Sequence, residues 1–154
     1  MFKYPYFYSK RVIRKKTKMK SKIEYINPDG LLKNPAFSQI ITTQGNGKTV
    51  YIGGQNAVNP NEEIVGKGDI AQQTEQIMKN LETALKAVDA RFENLIKLGV
   101  YIVQGQDAYT AFQVSQKFLG QNPNPPTISV LFVSGLVNPE FLLEIEAIAF
   151  IPEK

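Results

Sequence analysis

From Asp69 to about Asp89 apolar residues recur at the spacing of one helix face: Ile70, Thr74, Ile77, Leu81, Ala84, Leu85 and Val88. The other side carries Gln73, Glu75, Lys79, Glu82 and Lys86. Asp69 suits the N-cap, and Gln72 stands three residues on, where a capping box needs it. Such a helix is stable only when its apolar stripe is covered. The segments around it are strand-like, so the pattern predicts a helix lying on a sheet.

KIEYI (22–26) is a short alternating strand. FSQIITT (37–43) and TVYIGGQ (49–55) flank GNGK (45–48), a Gly/Asn turn signal, which predicts a β-hairpin. Gly53 and Gly54 inside the second of these strands suggest a bulge or a close backbone approach. LIKLGVYIVQ (95–104) is a buried strand. Asp107 caps a second helix through Ala108, Ala111, Phe112, Ser115, Phe118 and Leu119, and Gly120 ends it. QNPNPP (121–126) forbids helix. TISVLFVSGL (127–136) and FLLEIEAIAF (141–150) are the last strands. The order β-β-β-α-β-α-β-β predicts an α+β domain with one mixed sheet and two helices on one face. The other sheet face is too apolar for free solvent and is expected to be covered by oligomerisation.

The chain has 154 residues and is 43% hydrophobic, enough for one domain with one core. It has no Cys, which excludes disulfides, a thiol nucleophile and thiolate metal sites. It has no His, which removes the usual general base, the usual zinc ligand and every Ser-His pair. No metal site and no cofactor are expected, and no apolar run is long enough to span a membrane. Residues 1–22 carry nine Lys or Arg and no acid, while the rest carries nine basic residues against fourteen acids. The basic character therefore belongs to a tail, and no nucleic-acid footprint is expected on the folded domain. Three readings of this tail stand: a disordered basic arm for acidic lipid or nucleic acid, an acid-poor targeting peptide, or a product of start-codon choice with Met19 as the true start. The folded domain is expected over 23–152, with a cytoplasmic location.

The closing run holds two carboxylates. In a strand, Glu144, Glu146, Ile148 and Phe150 share one face, and Leu143, Ile145, Ala147 and Ala149 share the other. The small apolar face suits packing against helices.

YIGGQNAVNP (51–60), LGVYIVQGQDAYTAFQ (98–113), PPTISVLFVSGL (125–136) and above all EIEAIA (144–149) resemble the reactive-intermediate imine/enamine deaminase family, Rid or YjgF, once described as L-PSP endoribonucleases. The likeness covers about residues 23–152. It implies a chorismate mutase-like fold and a homotrimer with a small-molecule cleft at each subunit interface. In deaminating members the first Glu of the closing motif positions the attacking water, which here is Glu144. The resemblance also places Gly54, whose N–H would meet a ligand oxygen, and Gln106 at a position often held by Asn.

Two positions depart from the family. Deaminating members hold the substrate carboxylate with an Arg just after the Pro-rich loop; here the stretch is Pro126-Thr127-Ile128-Ser129, with Ile128 in the Arg position. An isoleucine cannot make the paired, charge-assisted bonds of a guanidinium. The cleft Tyr of the family is matched by Phe37, which keeps the ring without the hydroxyl. The expected catalytic residue is Glu144, and the expected substrate contacts are Phe37, Gly54, Gln106, Thr127, Ile128 and Ser129. Two functions follow. One is a deaminase that hydrolyses an imine or enamine to a carbonyl compound and ammonia, with its substrate altered by Ile128. The alternative is a non-catalytic trimer that binds a small apolar molecule in the interface cleft. RNA cleavage, suggested only by the older family description, lacks both a His and a phosphate footprint.

Overall fold

The computed structural model describes residues 20–120 and 122–153. The chain runs β1 (Lys22–Ile26), β2 (Ile40–Gln44), β3 (Gly47–Gln55), α1 (Ile70–Lys86), a 3-10 turn (Phe92–Asn94), β4 (Leu95–Val103), α2 (Ala108–Leu119), β5 (Thr127–Val133) and β6 (Leu143–Pro152). The alternation of strands and helices is as the sequence predicts. The basic tail falls outside the described residues up to position 19. No helix among the described residues is long and apolar enough to cross a membrane.

The strands form two sheets where the sequence predicts one. β1 and β2 pair antiparallel as a separate ribbon, and β3-β6-β4-β5 make a four-stranded mixed sheet in which only β4 and β5 run parallel. The expected hairpin between 37–43 and 49–55 is therefore corrected. At Gly45–Asn46 the chain only bends, and the strands on either side do not pair: β2 pairs with β1, and β3 lies along β6. This ladder, to a strand one hundred residues away, buries Ile52 in the core and packs the partly buried Val50 against it.

Both helices begin as their caps predict. Asp69 accepts from the N–H of Ala71 and Gln72, and the Gln72 amide returns to the same carboxylate. Asp107 accepts from Tyr109 N, Thr110 N and the Thr110 hydroxyl. These bonds satisfy helix N–H groups that have no partner in the helix, and they hold both carboxyls below the ordinary Asp value. Gly120, at φ +64°, closes α2.

The core lies between the helices and one face of the four-stranded sheet. Ile77, Leu81 and Leu85 of α1 pack over Ile52, Leu98 and Ile102, with Leu143, Ile145, Ala147 and Ala149 of β6 beneath. The alternation read in FLLEIEAIAF is thus present. Gln73 is a second correction. The sequence places it on the solvent side of α1, yet it is 0% exposed. Its amide nitrogen donates to Glu140 O at 2.8 Å and its amide oxygen accepts from Leu142 N at 2.9 Å. A polar side chain tolerates such burial because both ends are paired.

Candidate functional site

The site is built on the sheet face away from the helices. β6 presents Glu144, Glu146, Ile148 and Phe150 to that face, and neighbouring strands yield room by having glycine where a side chain would collide. A Cβ on Gly54 would overlap the carboxyl group of Glu144. One on Gly99 would lie 2.7 Å from Oε1 of Glu146, and one on Gly47 would meet the ring of Phe150. The register of β3 and β6 shifts between Ile52 and Gln55, so the bulge read from Gly53-Gly54 is present and sets Gly54 against Glu144.

Glu144 is half-buried. Its Oε2 accepts from the side-chain nitrogen of Asn56 at 3.1 Å, while Oε1 lies over Gly54. Glu146 accepts at Oε1 from the Tyr101 hydroxyl at 3.0 Å. Tyr101 stands opposite Glu144 in the ladder and reaches diagonally, across Gly99, to Glu146. That hydrogen bond to the carboxylate, then burial, then the charges of Glu146 and Glu144 raise the Tyr101 hydroxyl above its ordinary pKa. Among the described residues the ion pairs engage Glu24, Asp29, Glu75, Glu82 and Glu140, so neither Glu144 nor Glu146 has a cationic partner there. No group of three or more acidic side chains among the described residues is placed to hold a metal ion.

The expected site residues divide. Gly54 and Glu144 are in contact. Ser129 pairs with Gly99, which in turn pairs with Glu146, so Ser129 shares the acid-bearing face. Thr127 spends its hydroxyl on Ile96 O at 3.1 Å. Gln106 sits in the turn between β4 and α2, its N–H on Val103 O at 3.1 Å. Ile128 is elsewhere: it pairs with Leu98 and packs on the helix-facing side against the core. There it lines an apolar cavity of about 140 Å³ with Val130, Phe112 and Leu119. Phe37 lines a separate cavity of about 530 Å³ with Phe112, Gln116, Leu119 and Pro126. The Ser38 hydroxyl, bonded to Pro125 O at 2.7 Å, pins that segment to the Pro-rich loop. Within one chain, then, Phe37 and Ile128 line two cavities that share α2 residues, and neither cavity includes Glu144.

Asn56 and Tyr101 were not singled out from sequence. Their signal was position alone: Asn56 lies two residues past Gly54, and Tyr101 two past Gly99, each on the far side of a glycine that makes room for an acid.

A model of the family described as Endoribonuclease L-PSP matches residues 32–151. A RutC family protein of Pyrococcus horikoshii is 33% identical over 114 residues, 74% of this chain and 86% of that protein. The 2-iminobutanoate/2-iminopropanoate deaminase of Rattus norvegicus is 29% identical over 114 residues, 74% of this chain and 79% of its own. Among solved structures, the Rid-family protein YyfB of Yersinia pestis superposes with a TM-score of 0.72 at 32% identity, covering 82% of this chain and 97% of the other.

Proposed function

The chain belongs to the endoribonuclease L-PSP family, and from that premise we propose that it hydrolyses an imine or enamine that carries no carboxylate. The observation that carries this reading is the Glu144 carboxylate, held by Asn56 at one oxygen and, among the described residues, bonded to no donor at the other, which lies over Gly54. Oε1 accepts a proton from a water as that water attacks the imine carbon. That proton passes to nitrogen to give a carbinolamine; the same carboxylate then carries the hydroxyl proton to nitrogen as the C=O forms and the C–N bond breaks, leaving a carbonyl compound and ammonia. The Gly54 N–H and the Ser129 hydroxyl orient the substrate.

Charge supports the altered substrate. By resemblance Ile128 stands where deaminating members carry the carboxylate-holding Arg; it faces the helix side of its own sheet, so a partner copy would have to bring that position to Glu144, and losing such a charge-assisted anchor costs about 1.5–3 kcal/mol of binding. Glu144 and Glu146, without a cationic partner among the described residues, repel an anion and favour a neutral or protonated imine. The open sheet face supports assembly: Tyr51 is 78% exposed and Leu131 54%. We assign this face to contacts between copies in a homotrimer, with the ligand cleft at the junction.

The test is ammonia release from imines generated in solution, with and without a carboxylate. The expected result is faster turnover of the imine lacking the carboxylate, lost in Glu144→Gln. Equal rates for parent and Glu144→Gln would remove Glu144 from the chemistry. Absence of turnover with every imine, together with a retained small ligand in native mass spectrometry, would make the protein a binding module.

A further inference from the structure

We infer that Asn56 is a positioning residue for Glu144, fixed in place by a chain of amides that begins on α1. The inference rests on the reading of Glu144 as the water-activating carboxylate. The side-chain nitrogen of Asn56 faces two acceptors, Glu144 Oε2 at 3.1 Å and Leu143 O at 3.4 Å. Only the NH₂ end of the amide can serve both, so the side chain has one orientation. Its backbone is held as tightly. Asn56 O accepts from Asn80 Nδ2 at 3.0 Å and from Val58 N at 2.8 Å. Asn80 Nδ2 also donates to Val58 O at 2.9 Å, and Asn80 Oδ1 accepts from Gln76 Nε2 at 2.8 Å. Gln76 and Asn80 are one turn apart on α1.

The sequence of contacts is Gln76, Asn80, Asn56, Glu144. A carboxylate on a flexible side chain has several rotamers, and a catalytic group that wanders by an ångström loses rate steeply. Gly54 removes the obstacle to one rotamer, and the Asn56 donor selects it. The bonded oxygen is occupied, so the other is the one presented to water.

Three variants of the full chain test this: Asn56→Ala, Asn56→Asp and Glu144→Gln. Asn56→Asp keeps the size of the side chain and removes the donor, which covers the case in which the alanine variant fails to fold. With the most rapidly hydrolysed imine, assayed well below every thermal midpoint, both Asn56 variants are expected to lose kcat by about 10- to 100-fold with KM unchanged, a loss larger than any accompanying fall in stability explains. Carboxyl carbon NMR supplies a readout independent of turnover. The Glu144 signal, assigned by its absence in Glu144→Gln, is expected to move in Asn56→Ala, while that of Glu146 stays. Parental kcat with an unmoved Glu144 signal would overturn the inference, as would a kcat loss that only tracks loss of thermal stability. If Glu144→Gln keeps the parental rate, or no imine is turned over, the reading of the function fails instead. The carbon signal then decides alone whether Asn56 fixes Glu144.

Discussion

Oε1 of Glu144 stands where a side chain on Gly54 would have to be. Each residue dictates the other: the acid can lie against β3 only because position 54 is glycine, and that glycine has no positive φ that would call for it otherwise. Gly54→Ala should therefore leave the backbone unstrained and displace the flexible carboxyl instead. The expected outcome is a thermal midpoint close to the parent with imine hydrolysis reduced about 10- to 100-fold, measured by steady-state ammonia release.

Gln73 links α1 to the backbone just before β6. Gln73→Leu keeps the bulk, strands the buried Leu142 N, and takes the partner from the part-buried Glu140 O. An unsatisfied buried group costs about 1–3 kcal/mol. Urea denaturation should show a loss of that size for each stranded group that water does not reach.

The Tyr101 hydroxyl is raised in pKa first by its bond to Glu146. A raised value in the fold means that the neutral form is favoured. This contribution to stability is complete below the unfolded tyrosine value and is lost as pH climbs through the folded one. In the phenolate absorbance difference between parent and Tyr101→Phe, the missing step should lie above the ordinary tyrosine range. Glu146→Ala should bring it down.

Asp69 and Asp107 are depressed, Asp69 first by the Gln72 N–H and Asp107 first by the Thr110 hydroxyl. The sign is opposite. Their stabilisation is present above the unfolded aspartate value and is lost as pH falls through the depressed ones. Thermal midpoints recorded from neutral pH into this acid range should fall less in Asp69→Asn than in the parent.

The exposed Tyr51 and Leu131 give the assembly its own test. Leu131→Glu should shift the mass in native mass spectrometry from trimer to monomer. A monomeric parent would refute the assigned contact.

Much of the architecture was legible because its signals are local. KIEYI is β1, the two Asp caps start the two helices, and the alternation in β6 sorts its side chains between core and open face. What escaped reading is non-local. The Gly/Asn signal at 45–48 suggests a hairpin, but the chain only bends there, and the partner of β3 is chosen by how much apolar surface the β6 ladder buries. Gln73 is polar by type, and only the loop laid over it reveals its partners. In the site, Glu144 and Gly54 came from motif likeness, whereas Asn56 and Tyr101 are defined by neighbours on other strands. Ile128 fell on the helix side because pairing with Leu98 fixes its face.

Two side chains of α1 reach opposite flanks of Glu144: Gln73 grips the segment entering β6, and Asn80 grips the segment leaving β3. The carboxylate thereby belongs to the same cooperative unit as the core helix. In hydrogen exchange the amide of Leu142 should be protected as long as those inside α1, opening only when the helix itself opens. A site tethered this way gives little warning before it fails, because it is lost with the fold.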